Sequence, residues 1–108
     1  MKMVLAAYNE AVDDEMMRVL SDAGVESYTK WTKVMGRGGA GGPHLSTHVW
    51  PKANNVLAIC VDDDRAGDLM DRIRELRREV RHEGVKAFLL PVEAVTGDVG
   101  PSPEGEDA

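Results

Sequence analysis

Two histidines in one segment of this sequence could serve as metal ligands. His44 and His48 lie four residues apart, a spacing that directs both rings the same way on a helix or along an extended chain. Neutral imidazole is a common ligand for zinc, copper and nickel. Two ligands are fewer than a stable zinc site needs. The pair therefore predicts a metal site only if carboxylates or another subunit complete it, and exposed or structural histidines are the alternative.

A glycine-rich run lies just before the histidines. Residues 36–41 match the GxGxxG pattern, beginning with Gly36, Arg37 and Gly38. In dinucleotide-binding proteins a helix follows these glycines, and its N-terminus holds the pyrophosphate. Here Gly42 and Pro43 follow instead, so we reject a Rossmann site. The run is a glycine loop whose backbone amides could wrap an anion, and a loop without a ligand is the alternative.

Two clusters of charge have simpler explanations than ligand binding. Asp62–Asp64 could open a calcium loop, but Ile73 stands where an EF-hand needs glutamate, so helix capping is the better interpretation. A solvated helix face is the favoured explanation, ahead of an anion or partner site, for the arginines of the same segment. These arginines are Arg74, Arg77, Arg78 and Arg81.

The sequence offers little for catalysis. Cys60 stands among apolar residues of a predicted strand, where a buried and inert thiol is expected. Ser46 lies between the two histidines without the pattern of a nucleophile elbow. No pair of carboxylates stands out as an acid and base. We therefore predict that the protein is not an enzyme.

Composition narrows the class of protein. The chain has 108 residues and a net charge of -6, and an acidic chain repels the phosphates of nucleic acids. No apolar run is long enough to span a bilayer, so we expect no membrane-embedded segment. The single cysteine cannot form an internal disulfide, and the N-terminal residues lack the pattern of a secretion signal. We therefore expect a cytoplasmic protein.

The order of apolar segments predicts the fold. Strands are expected at residues 3–8, 25–35, 55–61 and 85–92, with one helix after Asn9 or Asp13 and a second after Asp62. Residues 36–54 form a long loop, and the Gly-, Pro- and acid-rich residues 96–108 form a mobile tail. The result is one domain over residues 1–95. It has an α+β, ferredoxin-like βαββαβ fold, with a four-stranded antiparallel sheet and both helices on one face.

The other face of that sheet needs cover. Tyr28, Trp31 and Val34 alternate with polar neighbours in the second predicted strand. A single core is marginal in a chain of this size. We therefore expect the chain to form oligomers through this face.

Several segments, in this order, resemble the PII family of signalling proteins. Residues 34–38 (VMGRG) resemble the V-x-G-x-G start of that family's long T-loop. Residues 86–88 (KAF) and 90–93 (LPVE) resemble its K-x-F…PVE fourth strand, and residues 96–97 with the final GEDA resemble its usual ending. Each match is short, but together they cover essentially the whole chain.

The resemblance implies a homotrimer with ligands bound in clefts between neighbouring subunits. An effector, often an adenine nucleotide (ATP, ADP or AMP), reshapes the T-loop, which corresponds here to residues 36–54. That loop docks on a regulated partner such as a transporter or an enzyme. Carried over to this sequence, Gly36, Arg37 and Gly38 would line the cleft, and Lys86 would match the family's phosphate-contacting lysine.

Three departures mark a divergent member. The glycine-rich segment before Lys86 is shortened to residues 81–85, the arginines that usually follow the fourth strand are absent, and Gly39–Ala40 replace the expected glutamine. We therefore do not expect ATP with 2-oxoglutarate to bind in the family's usual mode. The effector could be a different nucleotide, a small anion or a metal. A metal-binding or metal-sensing protein similar to the CutA type, using His44 and His48, is the alternative function.

Overall fold

A computed structural model describes residues 1–37 and 53–97 of the chain. Its sheet has the strand order β2-β3-β1-β4, and every neighbouring pair is antiparallel. Two helices complete the predicted α+β, ferredoxin-like arrangement, which is confirmed. No helix within the described ranges is long and apolar enough to cross a membrane. The elements are β1 (Lys2–Asn9), a 3-10 helix (Glu10–Val12), α1 (Asp13–Asp22), β2 (Thr29–Met35), β3 (Ala53–Val61), α2 (Asp63–Glu79) and β4 (Val85–Pro91).

One hydrophobic core lies between the sheet and the two helices. Alternate side chains of β1 and β3 point toward the helices, because successive residues of a strand face opposite sides. The apolar stripes of α1 and α2 close over them. The largest fully buried side chains are Val4, Tyr8, Met16, Leu20, Leu57, Ile59 and Leu69.

Side-chain caps fix where the helical segments begin. The Asn9 side chain accepts a hydrogen bond of 2.7 Å from the Ala11 backbone N–H, so Asn9, rather than Asp13, caps the 3-10 helix that leads into α1. The Asp62 side chain likewise accepts a hydrogen bond of 2.7 Å from the Arg65 N–H at the start of α2. This confirms helix capping as the role of the aspartate at the head of the 62–64 run.

The end of α1 corrects the predicted start of the second strand. Gly24 has φ +76°, the left-handed conformation that glycine adopts most easily. The Gly24 N–H donates to the Ser21 carbonyl and the Val25 N–H to the Leu20 carbonyl, the paired bonds of a Schellman motif. Val25 is buried in the core as part of that cap. The strand therefore begins at Thr29, four residues later than predicted.

The face of the sheet away from the helices, called here the open face, is apolar. β1, β3 and β4 contribute Met3, Leu5, Ala7, Val56, Ala58, Cys60, Phe88 and Leu90, and β2 contributes Trp31 and Val34. Trp31 and Phe88 remain about half exposed, at 50% and 51%.

Two expectations about this face need correction. Tyr28 precedes β2 and lines a cleft with Met17 and Leu20 of α1, so it does not belong to the open face. Cys60 is half-buried rather than fully buried. It lies opposite Met3 on the open face, because its position in β3 alternates with the core residues Ile59 and Val61.

Candidate functional site

Gly36 and Arg37 follow directly after the last residue of β2. A side-chain carbon at Gly36 would lie 2.5 Å from Nδ2 of Asn54, a distance that real contacts do not reach. Glycine therefore leaves room for the Asn54 side chain of β3 where the chain leaves β2, and a larger residue would displace that amide. Arg37 is exposed. Gly38 lies outside the described residues, as do His44 and His48.

Lys86 lies at the other edge of the sheet. It pairs with Ala7 near the start of β4, and its exposed side chain points to the open face. Because the order is β2-β3-β1-β4, three strand spacings separate it from β2, or about 14 Å. The end of β2 and the start of β4 are at the same end of the sheet, because these two strands run in opposite directions.

This placement limits what a ligand must look like. The strands that carry Arg37 and Lys86 are about 14 Å apart. A ligand that bound both groups of one chain would have to lie between two long side chains that reach toward each other across the sheet. Otherwise a second copy of the chain would be needed to bring the two groups together.

A bulge lies in β2 just before Gly36 and Arg37. The register with β3 shifts between Trp31 and Val34, and Lys33 has φ +58°, a conformation that costs a non-glycine residue about 1–2 kcal/mol. Its ammonium lies 3.8 Å from a carboxylate oxygen of Glu10. Bulges bend a strand and re-aim the residues that follow. The bulge therefore sets the direction in which Gly36 and Arg37 leave the sheet.

A polar network that the sequence did not reveal supports the same end of the sheet. The Tyr8 hydroxyl donates a hydrogen bond of 2.6 Å to Oδ1 of Asp13, and the Asn55 amide donates one of 3.1 Å to the same oxygen. The Lys30 ammonium lies 2.9 Å from Oδ1 and 3.1 Å from Oδ2. One carboxylate thus joins β1, α1, β2 and β3. The sequence placed Tyr8 in an apolar strand but did not reveal its polar partners, since the network joins residues as far apart as Asp13 and Asn55, which are 42 positions apart.

The network shifts the pKa of two of its members. Burial raises the pKa of the Tyr8 hydroxyl well above its ordinary value, and the hydrogen bond to Asp13 raises it further. Burial also pushes the pKa of the Asp13 carboxyl upward. The hydrogen bonds from Tyr8, Lys30 and Asn55 outweigh burial and leave the pKa below its ordinary value. The Asp13 carboxylate is therefore held in its charged form by the residues that it joins.

A metal centre has no support within the described ranges. Residues 1–37 and 53–97 contain no group of three or more His, Cys, Asp or Glu side chains that could hold a metal ion. The metal site predicted at His44 and His48 stays a prediction, because both residues lie outside those ranges.

Comparison with known proteins identifies the family. The family model for nitrogen regulatory protein P-II matches residues 1–97. The chain belongs to the P-II family. That match covers every described element, so the resemblance seen in the sequence is confirmed. No curated protein sequence matches this P-II family member.

Solved structures support the fold of this P-II family member. A PII-like signalling protein from Thermus thermophilus is 19% identical, covers 82% of each chain and has a TM-score of 0.59. CPII, a nitrogen regulatory PII-like protein from Thiomonas intermedia, was solved with ADP, AMP and bicarbonate. It is 19% identical over 87% of this chain and 93% of its own, with a TM-score of 0.59. The structure of CPII with ADP and bicarbonate is 21% identical, covers 86% of this chain and 88% of its own, and has a TM-score of 0.60. At these identities the likeness shows a shared fold.

Proposed function

We propose that this protein is a PII-like regulator that assembles as a homotrimer and binds an adenine nucleotide in the clefts between its subunits. Residues 1–95 form the folded domain, residues 36–54 the T-loop that docks on a transporter or enzyme, and residues 96–108 a tail. The protein acts in the cytoplasm by switching a partner and not by catalysis.

The open face is the main support for assembly. In the isolated chain it presents aromatic and aliphatic side chains from all four strands, with Trp31, Phe88 and Leu90 at 50%, 51% and 39% exposure. Monomeric proteins rarely leave a continuous apolar surface of this kind exposed. Further copies of the chain would cover it, and their edges would create clefts at the ends of the sheets.

The observation that carries the nucleotide proposal is the placement of Arg37 and Lys86 at one end of the sheet, on opposite edges. Both groups are exposed cations, and Gly36 and Gly38 add glycine backbone that an anion can approach closely. Lysine acts as a point charge for phosphate, and arginine binds it in a bidentate manner. Because β2 and β4 are about 14 Å apart, the two cations would meet the phosphates of one nucleotide either through their long side chains or, in a cleft between subunits, as groups from two copies of the chain.

The relatives give the proposal a ligand to test. CPII was solved with ADP, AMP and bicarbonate, and with ADP, AMP and acetate. ADP with bicarbonate is therefore the first combination to offer this protein. The departures at residues 39–40 and 81–85 lead us to expect a mode of binding that differs from that of ATP with 2-oxoglutarate.

The test is ADP affinity, measured by calorimetry on the protein and on Lys86→Ala and Arg37→Ala. We expect each substitution to weaken ADP by tenfold or more, because a lost charge-assisted contact to phosphate is worth about 1.5–3 kcal/mol. Arg18→Ala is the matched control, since Arg18 is an exposed cation on α1 and belongs to neither β2 nor β4. Unchanged affinity in both Lys86→Ala and Arg37→Ala would contradict the site.

The metal-binding alternative stays a prediction for His44 and His48. Its measurement is zinc affinity as a function of pH. Binding through histidine should fade below the reference pKa of about 6.5 and disappear when both residues are replaced by alanine. Zinc binding that survives the double substitution would contradict it.

A further inference from the structure

The outer surface of α2 carries its charges in two adjacent stripes. Arg74, Arg77 and Arg78 follow the spacing i, i+3, i+4 and share one flank of the helix. Asp68, Asp71 and Glu75 form the neighbouring stripe, three and four residues apart. The basic flank lies toward β4, because Nε of Arg77 donates a hydrogen bond of 2.7 Å to the Val85 carbonyl at the start of that strand.

The three arginines line a surface cleft of about 280 Å³ by themselves. Ion pairs across the stripe boundary compensate two of them, Arg74 with Asp71 at 2.8 Å and Arg78 with Glu75. Arg77 has no ion pair within the described residues. A solvated helix face explains the two paired arginines, whereas the exposed guanidinium of Arg77 leaves positive charge beside the cleft that no carboxylate among the described residues compensates.

The donors of these arginines are mostly unused. A guanidinium carries five N–H donors, and each of these three makes a single hydrogen bond to the described residues. Those single bonds restrain the side chains, so less conformational entropy is lost when a ligand binds. Arg77 in particular is held by the backbone of β4, which gives the cleft one fixed wall.

The chemistry of the cleft selects the class of ligand. Guanidinium groups bind phosphate in a bidentate manner and match its geometry. No aromatic or aliphatic side chain among the described residues lines the cleft, so none of them would stack on a nucleobase. We propose that this cleft is a second anion site, which takes a small ligand bearing phosphate or pyrophosphate. It is separate from the site of Arg37 and Lys86, since the Lys86 side chain points to the open face.

The experiment is an NMR titration of the full chain with inorganic pyrophosphate, followed at the arginine Nε–Hε resonances. We expect a saturable shift of the Arg77 resonance at millimolar pyrophosphate. Arg78→Ala should weaken this binding about tenfold, because a bidentate contact to phosphate is lost. Arg78 is exposed, so its removal leaves the core of the fold intact.

Arg72→Ala is the matched control. Arg72 is also exposed and also pairs with a carboxylate one turn away, Asp68 at 2.9 Å, but it does not line the cleft. Its loss should change the pyrophosphate affinity by less than about twofold. Equal weakening in Arg72→Ala and Arg78→Ala would overturn the proposal, as would the absence of a saturable shift at Arg77.

Lys86→Ala separates this site from the nucleotide site. Loss of the Arg77 shift in that variant would also overturn the proposal, whereas ADP binding could fail without affecting it.

Discussion

The two faces of the sheet are both apolar in part, but they differ in how far their side chains are covered. On the helix side, Tyr8 and Leu57 are 1% and 0% exposed, and the Asp13 carboxylate accepts from Tyr8, Lys30 and Asn55. On the open side, Trp31 and Phe88 are about half exposed. One face is covered within a single chain, and the other leaves apolar side chains exposed in the isolated chain. The first face determines the fold, and we infer that the second determines assembly.

The largest expected effect comes from placing a charge on the open face. Phe88→Asp should keep the fold, because Phe88 is half exposed in the isolated chain, but it should abolish assembly. A carboxylate buried without a partner between subunits costs several kcal/mol. Analytical ultracentrifugation gives the mass, and circular dichroism checks the fold.

Tyr28→Asp sharpens that comparison. Tyr28 is also an aromatic residue, 46% exposed, but it lines the cleft beside α1 and not the open face. This variant should assemble as the unchanged protein does. If Phe88→Asp also assembles normally, the open face is not the interface between copies.

A smaller effect is expected on the helix-covered face. Asp13→Asn removes the charge that attracts Lys30 and should lower the free energy of unfolding by about 2 kcal/mol. Since the open face is unchanged, the subunits should still associate. Urea unfolding at constant protein concentration measures the difference. The control is Asp14→Asn, on the exposed neighbour, which should change stability by less than about 0.5 kcal/mol. Equal losses in both variants would show that the network adds no stability.

The smallest effect is a pH dependence that the network imposes at alkaline pH. The pKa of Tyr8 is raised in the folded protein, by burial first and by the hydrogen bond to Asp13 next, whereas in the unfolded chain it is about 10. Below pH 10 the hydroxyl is protonated in both states and its contribution is fully present. Above pH 10 only the unfolded chain releases the proton, so stability falls by up to about 1.4 kcal/mol for each further pH unit.

Tyr8→Phe isolates this contribution, because it removes the titrating hydroxyl and keeps the ring. Urea unfolding between about pH 9 and pH 11 should show a shallower loss of stability in Tyr8→Phe than in the unchanged protein. Identical slopes would mean that the Tyr8 hydroxyl does not hold its proton in the folded state.

The sequence predicted the features that depend on local residues. Asp62 caps α2 by accepting a hydrogen bond from the backbone three residues ahead, so this cap could be predicted from a short window. The apolar run of β3 predicted a strand but not its two faces, and Cys60 lies half-buried on the open face. The predicted start of β2 was wrong. Val25 is a residue type that favours strands, but here its N–H donates to the Leu20 carbonyl in the cap that ends α1. The Asp13 network joins residues up to 42 positions apart. The cleft on α2 depends on the hydrogen bond from Arg77 to the Val85 carbonyl of β4. No local sequence pattern predicts that bond or the Asp13 network.

Native mass spectrometry in the presence of ADP and bicarbonate tests the central claim most directly, because it counts chains and nucleotides in the same particle. We expect a trimer that carries ADP, and a Phe88→Asp monomer that carries none under the same conditions. A monomer that binds ADP as tightly as the assembled protein, or a trimer that never binds it, would contradict the claim that assembly through the open face creates the nucleotide site.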